Sequence, residues 1–178
     1  MNCPVCGTTA LAETELERNL TGLRCAACEG VWIPSARYRN WMDRHGGSLP
    51  EKSAGGGAPM RPRGFERVRP CPECGALLAR YEVGHGVPFR IDHCGRCGGF
   101  WLDRGEFEAL KARNLHDDLH AIFLDSWQQG LRKERTDALV DRRMSAALGE
   151  ADFNELKRIK EWLARHPKKA WLIAYLRD

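Results

Sequence analysis

All eight cysteines of this 178-residue chain fall in four Cys-x-x-Cys pairs, so none is left over as a lone nucleophile. Cys71 and Cys74 are joined by a hairpin-length insert to Cys94 and Cys97, and Cys3 and Cys6 by a similar insert to Cys25 and Cys28. A knuckle of this kind points both of its sulfurs at one ion, and two knuckles supply the four ligands of a tetrahedral zinc site. The expectation is two structural zinc ions per chain, one held by Cys3, Cys6, Cys25 and Cys28, the other by Cys71, Cys74, Cys94 and Cys97. Four thiolates suit iron as well. A redox dithiol of thioredoxin type needs a βαβ setting and would not explain four paired motifs. Sites closed by four sulfurs leave no position for a reactive water, so no catalytic residue is assigned and no enzyme is expected.

The elements that must position these cysteines are short. Residues 1–45 read as a first zinc ribbon. Leu16–Leu20 and Leu23–Cys25 flank a turn at Thr21-Gly22, although Ala12–Arg18 would also suit a helix. Ser35 then opens a helix carrying Tyr38, Trp41 and Met42, which would cover the metal site. Residues 46–64, rich in glycine and proline, read as a linker across which the two ribbons move independently. Residues 65–115 are a second ribbon. There Leu77, Ala79, Tyr81 and Val83 alternate on one face, Gly84-His85-Gly86 turns, and Val87, Phe89 and Ile91 return. Asp103 and Glu106 have the spacing of a helix capping box, and the helix and Trp101 are expected to pack over the knuckles. A core this small requires the metal.

From 116 to 178 the pattern becomes helical. Leu119, Ile122, Phe123 and Trp127 recur at three-to-four spacing, followed by Leu131, Leu139, Val140, Met144 and Leu148. Gly149 is a stop signal. Asp152 and Glu155 have capping-box spacing for a helix with Leu156, Ile159, Trp162 and Leu163 inward, and a last helix follows from about Lys168 to Leu176. The fold class is thus two small zinc-ribbon β-hairpin domains plus an all-α C-terminal region, either a small bundle or an oligomerisation arm.

Cys71-Pro-x-Cys74 and Asp92-x-Cys94-x-x-Cys97-x-Gly-x-Trp101-Leu-Asp-x-Gly-Glu106 resemble the short zinc ribbons of the bacterial transcription-factor-IIB-type zinc-finger family. Residues 1–45 resemble a divergent second copy. Cys3, Pro4, Cys6, Cys25, Cys28, Gly30 and Trp32 fit the pattern, but Leu23-Arg24 and Ile33-Pro-Ser-Ala-Arg37 depart from it. The resemblance implies a fold and a metal, with Trp32, Trp101, Asp103 and Glu106 as structural support. It does not imply transcription, and it does not reach the helical third.

Other residues carry less. Asp103 and Glu106 could form an acid/base pair, but capping explains both. His116 and His120 share a helix face without a third ligand and read as a solvated helix start. Arg61, Arg63, Arg67 and Arg69 form a basic segment before the second ribbon and are candidate nucleic-acid contacts, with further basic clusters in the helices. The formal net charge of +4 counts cysteines as neutral. Eight thiolates against two divalent ions bring it close to zero, so local clusters alone support a nucleic-acid reading. No run approaches the roughly 18 apolar residues of a membrane span. No apolar leader precedes Cys3, which together with reduced thiols suggests a cytoplasmic protein. The reading is a protein-interaction module, self-associating through its C-terminal helices or binding another protein. The alternative is a nucleic-acid-binding or transcription-linked factor.

Overall fold

The computed structural model describes residues 1–45 and 68–177. The expected linker 46–64, and Arg61, Arg63 and Arg67 with it, lie outside the described residues. The elements are β1 (Leu11–Glu17), β2 (Leu20–Cys25), β3 (Val31–Ile33), α1 (Ser35–His45), β4 (Ala79–Gly84), β5 (Val87–His93), β6 (Phe100–Leu102), α2 (Glu106–Lys111), α3 (Leu119–Ile122), α4 (Asp125–Leu148), α5 (Glu150–Arg165) and α6 (Lys169–Tyr175). They form two compact units, Met1–Leu131 and Arg132–Asp178.

In the first unit each ribbon is a three-stranded antiparallel sheet, and the two are joined into one sheet of order β1-β2-β3-β6-β5-β4. The seam is a symmetric ladder in which Val31 faces Leu102, Trp32 faces Trp101 and Ile33 faces Phe100. This corrects the expectation of independently moving ribbons, because a shared ladder fixes them as one body. The first hairpin also turns earlier in the structure than in the sequence reading. β1 and β2 meet across Arg18-Asn19, with Asn19 in the left-handed region at φ 66° that a tight turn demands. Thr21-Gly22 lies inside β2 instead, and Ala12–Glu17 is strand. The second hairpin turns at His85-Gly86 as its alternation predicts. Leu77, expected to share a face with Val83, is exposed while Val83 is buried, and Leu78 takes the core position.

Strand alternation divides the core into two layers. Val31, Ile33, Phe100 and Leu102 face one side of the sheet with Val83, Phe89 and Ile91, where α1, α2 and α3 cover them through Tyr38, Trp41, Phe107, Leu110, Leu119 and Ile122. Trp32 and Trp101 face the other side with the buried cysteines and Leu78. The expectation that the helices cover the metal sites is therefore corrected. Residues one apart on a strand point to opposite faces, so a ribbon that sends its tryptophan to the metal must send its neighbours to the helices.

The helical region anticipated from 116 begins inside this first unit. The Tyr38 hydroxyl donates to the His116 carbonyl (3.0 Å) and accepts from the Leu119 N–H (3.2 Å). Trp127 Nε1 donates to the Val83 carbonyl (3.0 Å) and Gln128 Nε2 to the Glu82 carbonyl (2.8 Å), so the start of α4 satisfies the backbone of β4. His116, expected to be solvated, is buried between Trp41 and Phe107 with Glu17 beside it, while His120 is exposed.

The second unit comprises the rest of α4 with α5 and α6. No residue from 132 to 177 is buried. Leu156, Ile159 and Trp162, expected to point inward, are 40 %, 42 % and 54 % exposed. α5 starts directly after Gly149, so Asp152 lies within its first turn and is not its cap.

The seam tolerates no added atoms at two places. A Cβ at Gly30 would overlap the Trp101 ring, and one at Gly99 would overlap the Trp32 ring. Gly99→Ala is expected to cost about 1–3 kcal/mol, the usual range for overpacking a well-packed core. Gly95→Ala, where nothing lies within 4 Å, should stay within about 0.5 kcal/mol of the parent. Chemical denaturation of the zinc-loaded variants measures both.

Candidate metal centres

Each site is assembled from two knuckles in different parts of its ribbon. In all four, the N–H of the residue after the second cysteine closes onto the carbonyl of the first. The bonds are Gly7 to Cys3 (2.8 Å), Glu29 to Cys25 (2.9 Å), Gly75 to Cys71 (2.9 Å) and Gly98 to Cys94 (2.8 Å). The closing residue must take a positive φ. Gly98 does so freely at 75°, whereas its counterpart in the first ribbon is Glu29 at 60°.

The sulfurs of Cys3, Cys6, Cys25 and Cys28 all lie within 4.8 Å of one another, as do those of Cys71, Cys74, Cys94 and Cys97. The closest approaches are 3.6 Å for Cys3–Cys28, 3.8 Å for Cys6–Cys25, and 3.5 Å for both Cys71–Cys97 and Cys74–Cys94. A tetrahedron with Zn–S bonds of about 2.3 Å has edges of about 3.8 Å, so both donor sets fit zinc. Backbone N–H groups point at the ligands. Val5 and Cys6 reach Cys3 Sγ at 3.4 and 3.3 Å, and Glu73 reaches Cys71 Sγ at 3.4 Å.

The electrostatics repeat between the copies. Burial raises the Cys25 and Cys94 thiols, but backbone N–H groups outweigh it and hold both at about 7. Burial pushes Cys3, Cys28, Cys71 and Cys97 above the ordinary thiol value, with sulfur neighbours adding to the rise at Cys28 and Cys97. Four clustered thiols thus cannot all ionise on their own. A divalent cation supplies the missing charge and converts all four to thiolates.

The predicted supporting residues lie around this layer. Trp32 is fully buried, and its Nε1 donates to Glu73 Oε2 (3.3 Å) in the first knuckle of the other ribbon. Trp101 Nε1 donates to Asp103 Oδ1 (2.8 Å). Half of the expected capping box is present. Glu106 Oε2 accepts the Asp103 N–H (2.8 Å), but α2 begins only at Glu106, behind Gly105. The Asp103 carboxylate is engaged elsewhere, accepting both guanidinium nitrogens of Arg69 at 3.0 and 3.2 Å.

Arg69, expected among the nucleic-acid contacts, is corrected by this geometry. It is 6 % exposed and also donates to Asp92 Oδ2 (2.9 Å), whose other oxygen accepts Arg80 Nε (3.0 Å). Burial works against the Arg69 charge, but Asp103 and Asp92 more than offset it and hold the guanidinium above its ordinary value. Its fork is therefore committed within the protein. The sequence reading missed this cluster and the role of Glu73. One signal was available: Arg69 and Asp92 each stand two residues before a ligand knuckle, so knuckles that converge bring the two together.

Burial lifts the Glu106 carboxyl to about 8, although the Asp103 N–H opposes the shift. A carboxyl raised above its ordinary value binds its proton more tightly in the folded state. Its contribution is complete below about pH 4.5 and is lost as pH rises through about 8. Between pH 6 and 9 the zinc-loaded protein should lose on the order of 2 kcal/mol through this group. Glu106→Gln, which keeps an oxygen for the Asp103 N–H, should flatten that slope in denaturation curves. Metal analysis should find two zinc per chain, and Cys94→Ser should release one while the N-terminal site stays loaded.

The transcription factor zinc-finger family, of the transcription-factor-IIB type, matches the chain at residues 2–44 and again at 70–113. No curated protein and no solved structure gives a significant match. Among the described residues, no helix is long and apolar enough to cross a membrane. The two matched segments coincide with the two ribbons and their four-cysteine sites, and the chain therefore carries two copies of the zinc ribbon of this family.

Proposed function

We propose that this chain is a non-enzymatic interaction module in which two zinc ribbons form one metal-held body and the helical unit provides a docking surface for protein. The observation that carries this reading is the second unit itself. None of its described residues is buried, yet it exposes Leu156, Ile159, Trp162, Trp171 and Ile173. Extended apolar surface of this kind marks an interaction site. The metal sites support a structural role, since four sulfurs fill a tetrahedral shell and leave no place for a substrate or water. Asp103 and Glu106, which have the residue types of an acid/base pair, are engaged by Arg69, Trp101 and the Asp103 N–H. Eight zinc-binding thiols fit a reducing compartment, which favours the cytoplasm.

The nucleic-acid alternative retains the exposed Arg165, Lys168 and Lys169 but loses Arg69. Phosphate contacts release counterions, so such binding weakens steeply with salt. The zinc-loaded chain should retain its partner at 0.5 M salt, and Leu156→Glu should abolish that retention. Salt-sensitive retention on DNA or RNA that Leu156→Glu leaves intact would favour the alternative.

A further inference from the structure

In the second unit, α4, α5 and α6 enclose an open groove of about 520 Å3. Val140, Met144, Leu156, Ile159, Leu163 and Ile173 form its apolar lining, and Lys157, Lys160, Lys169 and Asp141 stand among them. Lys157 is paired with Asp141 (3.4 Å), while Lys160 and Lys169 have no carboxylate partner among the described residues. The occupant that fits is an amphipathic helix with apolar residues at three-to-four spacing and acidic residues beside them.

The N-terminal half of α5 has that character. Phe153 and Leu156 lie along it with Glu150, Asp152 and Glu155. Its C-terminal half carries Lys157, Arg158, Lys160 and Arg165 against the single acid Glu161, and Lys168 and Lys169 follow. The helix is therefore acidic at one end and basic at the other along a continuous apolar stripe. Glu155 is held by Arg158 (2.7 Å), but Glu150, Asp152, Arg165 and Lys168 have no ion-pair partner among the described residues.

We propose that the groove is closed by α5 of a second copy of this chain, packed antiparallel across a two-fold axis. An isologous interface uses one patch twice, so the patch must complement itself. The antiparallel arrangement meets this condition. Glu150 and Asp152 of each copy approach the unpaired Lys168 and Lys169 of the other, and Phe153 and Leu156 meet Leu163 and Ile159. A parallel arrangement would set like charges together. The size of the exposed surface agrees. Eleven large apolar side chains are exposed between Leu139 and Leu176, and 46 residues without a buried side chain cannot offset their own ordering entropy alone.

This inference rests on the reading of the helical unit as a docking surface and names its occupant. The test is the mass in solution of the zinc-loaded full chain, measured by sedimentation at concentrations up to about 100 µM, where micromolar association is saturated. The parent should be a dimer. The double variant Lys168→Glu, Lys169→Glu and the double variant Glu150→Lys, Asp152→Lys should each self-associate at least about tenfold more weakly, since each repels itself at both ends. An equimolar mixture of the two should recover a heterodimer. Leu156→Glu should be monomeric with both zinc ions retained and its helical circular dichroism within the range of the charge variants. A monomeric parent, a dimer that neither charge reversal weakens, or a mixture that fails to pair would overturn the proposal. Retention of a different protein by a monomeric parent would overturn it too, while leaving the docking reading intact.

Discussion

Four sulfurs held within 4.8 Å of one another are tenable only around a cation. Alone, each cluster can ionise at Cys25 or Cys94, where backbone N–H groups overcome burial, while its other buried thiols are driven upward. The backbone contributes to the same geometry. Each knuckle is closed by a short N–H to carbonyl bond, and N–H groups point at sulfur. Metal binding and folding of the ribbons are thus one process, because the ion adds the charge for which the chain has prepared the geometry.

From that constraint follows the layering of the sheet. Each ribbon has only a three-residue strand, Val31–Ile33 or Phe100–Leu102, after its second knuckle. With a period of two, such a strand offers one side chain to the metal side and two to the other. The central residue is tryptophan in both copies, wide enough to span the space between ribbons, and the outer pairs are apolar. Placing the two strands side by side completes both layers together. Val31, Ile33, Phe100 and Leu102 become the middle of the helix-covered core, and Trp32 and Trp101 become a common floor for the two metal sites. Gly30 and Gly99 are small because each lies beneath the other ribbon's indole. Each ribbon's indole rests against the other ribbon's glycine, so the two tryptophans are buried together.

Much of this was legible in the residues. Paired cysteines identify the ligands because their spacing encodes a local geometry that tertiary context does not alter. The turn of the second hairpin was legible too, since Gly84-His85-Gly86 stands between two alternating runs, although β4 shifts register between Glu82 and Gly84. What escaped depended on pairing between distant segments. Nothing local says that β3 and β6 form a seam, or that Asp103 joins Arg69 and Asp92 where their knuckles converge. A three-residue strand also carries too little pattern to show which face the helices take, and so they were assigned to the metal side. The first hairpin misled because Thr21-Gly22 resembles a turn. Gly22 serves instead as the place where β2 passes beneath Val31. In the C-terminal helices the apolar periodicity was real, but periodicity reports that a face is to be covered and not by what.

The two copies differ where each meets its surroundings. In the second ribbon Asp92, opposite Trp101 on the neighbouring strand, collects Arg69 and Arg80 and so ties the approach to Cys71 into the sheet. In the first, Leu23 stands opposite Trp32 in the equivalent place and joins the tryptophan layer directly. Buried ion pairs lose desolvation energy that a packed leucine does not, so the first copy reaches the same geometry without a charge network. Its own Trp32 then turns outward to the second copy and hydrogen-bonds Glu73 between that copy's first two ligands. The divergent ribbon is therefore a complement to its partner and not a decayed duplicate. Of its departures from the family pattern, Leu23 joins the tryptophan layer and Ile33 pairs with Phe100 in the seam, whereas Arg24 and Arg37 bond to Glu29 and Glu13 within the first ribbon.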